Sequence, residues 1–129
     1  MHEATGTGRI CMPTGRMYAY QPTSNGDWPR TTILNYPVQG LGADIMAIIR
    51  VAFYRRLKQR NINALVISSV HDSIVVDCPQ ESVAAVVALF HEVFTDAPQL
   101  FEQWFKVKFN LPLKCEISIG NNMKDLEEI

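Results

Sequence analysis

The sequence predicts an α+β fold, an antiparallel sheet of hairpins covered by helices on one face. Two short hairpin patterns, at residues 8–22 and 65–78, supply the strands, and a long three-and-four apolar periodicity between them supplies a helix. Nearly half of the 129 residues are apolar, enough for one core, so residues 1–129 read as a single domain.

In the first hairpin, Arg9-Ile10-Cys11-Met12 and Arg16-Met17-Tyr18-Ala19-Tyr20 alternate in the strand manner around the turn sequence Pro13-Thr14-Gly15. Ser24-Asn25-Gly26-Asp27 is a loop by composition. A helix then follows Asn35-Tyr36-Pro37-Val38-Gln39-Gly40, with Ile45, Ile48, Ile49, Ala52, Phe53 and Leu57 on one apolar face. Pro37 suits its first turn, where a missing N–H has no partner to lose. Gly40 and Gly42 weaken the opening turns, so they point either to a close approach by a neighbour or to a loose helix start.

The runs 65–70 and 74–78 are rich in β-branched residues and are separated by His71-Asp72-Ser73, a tight second hairpin. Another helix is expected from about Glu81, with Val83, Val86, Val87, Phe90 and Phe94 on its buried stripe. Asp96 suits the cap of a further short helix, with Pro98 near its start and Phe101, Trp104 and Phe105 as anchors. Residues 113–119 read as a closing strand before an acidic tail.

No apolar run is long enough to span a bilayer. The opening Met1-His2-Glu3-Ala4-Thr5-Gly6 has no basic stretch followed by an apolar core, so no secretory signal is expected. Cys11, Cys78 and Cys115 are odd in number and far apart, which gives neither a disulfide framework nor a zinc site. A cytoplasmic setting follows as the default. Twelve basic residues face thirteen acidic ones, a balance that argues against this chain gripping nucleic acid alone. Arg55, Arg56, Lys58 and Arg60 read as a solvated helix end, where cations complement the helix dipole; Arg50 is left open.

Taken locally, Asp72 is more often an Asx turn than a cation ligand. His71 has no second ligand at zinc spacing. Ser68, Ser69 and Ser73 lie near it in sequence, but no orienting partner for a nucleophile is visible. The combination changes the balance. Asn35-Tyr36-Pro37-Val38-Gln39-Gly40, then Ala43-Asp44-Ile45, a helix, and Val70-His71-Asp72 in a hairpin resemble the C-terminal palm of family A DNA polymerases. Pro13-Thr14-Gly15-Arg16 is similar to the family's Gly-Arg turn. Leu111-Pro112-Leu113-Lys114-Cys115-Glu116-Ile117-Ser118-Ile119-Gly120-Asn121-Asn122 is similar to its last strand. The Tyr36-Pro37 pair is similar to phage members.

The resemblance implies a role for each matching position. Asp72 matches the catalytic aspartate that binds magnesium, one carboxylate of a set holding two ions about 4 Å apart. Hard, oxygen-seeking magnesium calls for such ligands. His71 matches a residue beside the primer terminus. Asn35 and Gln39 match residues that reach the minor groove of primer–template DNA, where amides read acceptors common to all base pairs. Arg50, about three helical turns beyond Gln39, is a candidate phosphate contact. Asp44 matches a structural aspartate. Ser73 stands where the family has glutamate, so the site is expected to be weakened, and Met123 replaces a tryptophan.

The family's other catalytic aspartate and its nucleotide-binding fingers helix are expected from a partner segment, together with primer–template DNA and the dNTP. The isolated chain is expected to be inactive. The alternative is a palm-derived module that binds DNA or a partner without chemistry, favoured by Ser73 and the near-neutral charge.

Overall fold

The computed structural model describes the backbone of residues 2–129 and the side chains of residues 4 and 6–129. Met1, which opens the stretch read as carrying no signal, lies outside the described residues. The elements run α1 (His2–Thr7), β1 (Arg9–Cys11), β2 (Met17–Ala19), α2 (Arg30–Gln59), β3 (Leu65–Val70), β4 (Ser73–Asp77), a 3-10 turn (Gln80–Ser82), α3 (Val83–Phe105), β5 (Ser118–Ile119) and β6 (Glu127–Glu128). Helices and antiparallel strand pairs make this an α+β fold, with β1–β2, β3–β4 and β5–β6 as three separate two-stranded ribbons. No helix among the described residues is long and apolar enough to cross a membrane.

The first hairpin turns where the sequence predicts. The Gly15 N–H donates to the Met12 carbonyl at 2.8 Å, and Gly15 supplies the positive φ of 85° that the turn requires. The expected helix start at Pro37 is corrected: α2 begins at Arg30, directly after Pro29. Pro37 therefore lies inside the helix, where it removes the N–H that would bond the Ile33 carbonyl. Packing outweighs that loss. Ile33 is fully buried with Ala4 and Tyr20, against Ile10, Tyr18 and Trp28, so the first turns of α2 are pinned to the first hairpin. Gly40 and Gly42 accordingly sit three turns in, not at the start.

The 30 residues of α2 end as left-handed caps commonly do. Asn61 takes φ 51°, and the Ile62 N–H reaches back to the Leu57 carbonyl at 3.1 Å. The larger core lies between α2 and α3: Met46, Ile49, Phe53 and Leu57 meet Val86, Leu89, Val93 and Ala97, with Val66, Ile74 and Val76 of the second hairpin packed on them. Phe53 and Phe90 stack at 4.0 Å between ring centroids.

Four further expectations are corrected. The buried stripe of α3 is Val86, Leu89, Val93, Ala97 and Phe101, while Val83, Val87, Phe90 and Phe94 flank it, half-buried. No separate helix starts at Asp96. α3 runs through Pro98 to Phe105, held on either side of the proline by buried Ala97 and Phe101, which line one apolar crevice with Ile45 and Ile48 of α2. The Asp96 carboxylate instead meets Arg56 at 2.7 Å. Arg56 and Arg60 likewise converge on Glu92, so these two arginines clamp α2 to α3 and do not form a solvated helix end. The closing strand covers only Ser118–Ile119 and pairs with Glu127–Glu128 of the acidic tail. That return is tight: a β-carbon on Gly120 would fall 2.2 Å from the Asp125 carbonyl oxygen.

Candidate active site at the second hairpin

Strands β3 and β4 pair from Leu65↔Asp77 to Val70↔Ser73, which leaves His71 and Asp72 as a two-residue connection. Two-residue hairpin loops require positive φ at one or both positions, usually from glycine. Here His71 takes it, at φ 51°. A bulky side chain in the left-handed region is strained, and such strain collects at functional sites. The pairing slips between Val66 and Ser68, so Ile67 forms a bulge two turns of pleat below the tip.

His71, Asp72 and Ser73 are all exposed. The Ser73 hydroxyl donates to the Val70 carbonyl at 2.8 Å, across the closing pair. Asp72 makes no side-chain hydrogen bond or ion pair among the described residues, so the Asx turn that local reasoning favours is not what the carboxylate does. It projects at the tip of the ribbon, exposed to solvent. Asp72 and Ser73 also line a groove of about 530 Å³ floored by Val76, Val86 and Phe90, with residues 115–123 along its other side.

For magnesium, the donor is right in kind and short in number. Asp72 offers a hard carboxylate, but among the described residues no three His, Cys, Asp or Glu side chains converge. The Ser73 hydroxyl is neutral and already engaged with Val70. Among the described residues, Asp72 is thus a lone carboxylate at the tip and no assembled cation site is present.

Asn35, Gln39 and Arg50 lie on α2 and are all exposed. Asn35 and Gln39 are one helical turn apart, and Arg50 follows about three turns later. No hydrogen bond or ion pair among the described residues joins this helical set to the hairpin tip. His71, Asp72 and Ser73 share the hairpin tip, while Asn35, Gln39 and Arg50 are presented along α2.

Asp44 has the structural role expected of it. Its carboxylate accepts hydrogen bonds from the Thr14 hydroxyl at 2.9 Å and from Arg16 Nε at 3.3 Å, with Arg16 Nη2 on its other oxygen. The Arg16 hydrogen bond is the main cause of a lowered Asp44 pKa; burial opposes it and Thr14 assists it. One turn earlier, a β-carbon on Gly40 would fall 1.6 Å from the Tyr18 hydroxyl oxygen, which accounts for glycine there. Sequence reasoning quoted Thr14, Arg16 and Asp44 in separate motifs without joining them; their opposite charges were the available signal. Cys78 and Cys115 also line the groove, but burial pushes both thiols up, so neither is an activated nucleophile.

Comparison with known proteins adds the remaining observation. The profile of DNA polymerase family A matches residues 8–125. A DNA polymerase of Bacillus phage SP01 is 27% identical over 95 residues, 74% of this chain and 10% of the phage protein. The thermostable DNA polymerase I of Thermus aquaticus is 32% identical over 94 residues, 73% of this chain and 10% of that enzyme. DNA polymerase I of Aquifex aeolicus is 33% identical over 67 residues, 52% of this chain and 12% of the relative. The chain thus spans about a tenth of the length of these relatives.

Proposed function

The chain belongs to DNA polymerase family A, and from that premise we propose that it is a C-terminal palm segment, residues 1–129, contributing one catalytic aspartate to template-directed nucleotidyl transfer. The observation that carries the reading is Asp72: a carboxylate at the tip of a two-residue hairpin, exposed and engaged by no other side chain among the described residues. Asp72 would hold magnesium together with carboxylates from a partner polymerase segment. When bound there, magnesium supplies activation of the primer 3′-hydroxyl and stabilisation of the leaving pyrophosphate.

The chain's own residues do the rest by position. His71, held strained beside Asp72, faces the primer terminus, and Ser73 fixes the closing pair of the turn through Val70. Asn35 and Gln39 donate to minor-groove acceptors of the primer–template duplex, which rewards correct pairing without reading sequence. Arg50 contacts a phosphate. The fingers, the other catalytic aspartate and the dNTP site belong to the partner segment, in the cytoplasm of a bacterial or phage-infected host.

The test is reconstitution. The chain is mixed with a family A segment carrying the fingers and first palm strand, and primer extension is followed with magnesium. Extension is expected only in the mixture, and Asp72→Ala is expected to lower it on the order of a thousandfold. Extension that survives Asp72→Ala in the mixture overturns the reading.

A second reading, a palm-derived module that binds DNA or a partner without chemistry, is favoured by Ser73: it supplies no second carboxylate beside Asp72. Under it, the Asp72→Ala chain retains whatever binding the native chain has, and magnesium leaves that binding unchanged.

A further inference from the structure

We propose that the outward face of the C-terminal half of α2, with Trp104 of α3, binds single-stranded nucleic acid. Arg50, Val51, Tyr54, Arg55 and Lys58 fall on one face of α2 by helical spacing, and all five are exposed. The cations of the C-terminal half of α2 and its cap, Arg60, divide into two sets. Arg56 and Arg60 are taken by Glu92 and Asp96. Arg50, Arg55 and Lys58 have no carboxylate partner among the described residues, and residues 45–71 contain no Asp or Glu at all. A chain of net charge −1 therefore carries a locally positive face.

The aromatic groups on this face are the second, independent observation. Tyr54 is 51% exposed and Trp104 is 56% exposed, unusual for large rings. The Arg55 guanidinium lies 5.9 Å from the Trp104 ring centroid, and Lys58 Nζ lies 5.7 Å from that of Tyr54. These cation–π contacts hold charge and ring side by side. Phosphates would meet the cations while bases stack on the rings or on the guanidinium plane, the combination by which proteins hold single strands. A duplex hides its base faces, so the unstacked strand is the better fit. Ala43 and Ala47, small and exposed, continue the same face toward Gln39, a stretch of about 28 Å from Gln39 to Lys58.

The experiment measures binding of an oligo(dT) 20-mer to the full chain without primer, nucleotide or magnesium, so its failure is distinct from failure of the catalytic reading. Tryptophan fluorescence is expected to be quenched on binding, with the quenching lost in Trp104→Leu and affinity reduced about tenfold. Removing Arg50, Arg55 and Lys58 together as alanines should lower the slope of log affinity against log salt by about two. Lys114→Ala, at an exposed lysine off this face, should change neither. The proposal is overturned if the native chain does not bind oligo(dT), if the triple variant keeps the native salt slope, if Lys114→Ala weakens binding as much, or if polyglutamate binds the native chain as tightly as oligo(dT). That last result would assign the face to an acidic protein instead.

Discussion

Arg16, in the turn of the first hairpin, is held by Asp44, in the middle of α2, through a fork of two donors on the two oxygens of one carboxylate. With Thr14 it ties the turn that opens the chain to the helix bearing Asn35 and Gln39. The Asp44 side chain is only 13% exposed while Arg16 stays 45% exposed, so water screens the pair from the arginine side. Asp44→Ala should cost about 1–3 kcal/mol in urea denaturation. The pH dependence has a definite sign. Because the folded Asp44 pKa lies below its ordinary 3.8, its contribution is full above that value and is lost as pH falls through the folded pKa. Asp44→Asn should remove part of the acid destabilisation below about pH 4 and leave the slope near neutrality unchanged.

Gly40 makes a separate prediction. An alanine there adds helix propensity worth up to about 1 kcal/mol but drives a methyl into the Tyr18 ring. Overpacking of that kind costs about 1–3 kcal/mol, so Gly40→Ala should destabilise the chain. In a Tyr18→Ala background the same change should be neutral or stabilising. A double-mutant cycle by chemical denaturation gives the coupling directly.

Phe53 is fully buried at the centre of the larger core and stacked on Phe90. Phe53→Ala should cost about 3–5 kcal/mol, a large part of the stability of a small domain. Loss of the cooperative thermal transition, or a fall in its midpoint of about 12 °C or more, is the expected readout.

At the hairpin tip, stability and function should separate. His71→Gly relieves a left-handed residue and should leave stability unchanged or raise it by up to about 1 kcal/mol, while primer extension in the reconstituted mixture falls. Ser73→Glu gives up an exposed hydrogen bond to Val70 and adds a second carboxylate beside Asp72. Calorimetric titration should then find tighter magnesium binding than in the native chain.

The alternating patterns around Pro13-Thr14-Gly15 and His71-Asp72 were enough to predict both hairpins, because turn chemistry and strand period agree there. The long helix was equally legible from Ile45 to Leu57. Its start was not, since Pro37 is a strong local signal and the burial of Ile33 against Tyr20 is a tertiary one. Pro98 misled in the same way, for Ala97 and Phe101 keep α3 continuous across it. The closing strand was overread because a β-rich composition over 113–119 says nothing about which partner is in reach. At the site, the resemblance to family A polymerases, not local pattern, pointed to Asp72, Asn35 and Gln39. It did not indicate that the carboxylate stands free, that Ser73 bonds Val70, or that Arg56 and Arg60 are committed to α3. Those depend on which side chains meet across elements.

The bulge at Ile67 has a consequence for how the chain behaves at high concentration. A two-stranded ribbon leaves an outer row of unpaired amides and carbonyls on each strand, and β3 also exposes Leu65, Ile67 and Val70. Such an edge is a template for intermolecular strand addition. The slip between Val66 and Ser68 breaks the even spacing that a foreign strand would need on β3. β4 has no such interruption, so self-association should proceed through its edge.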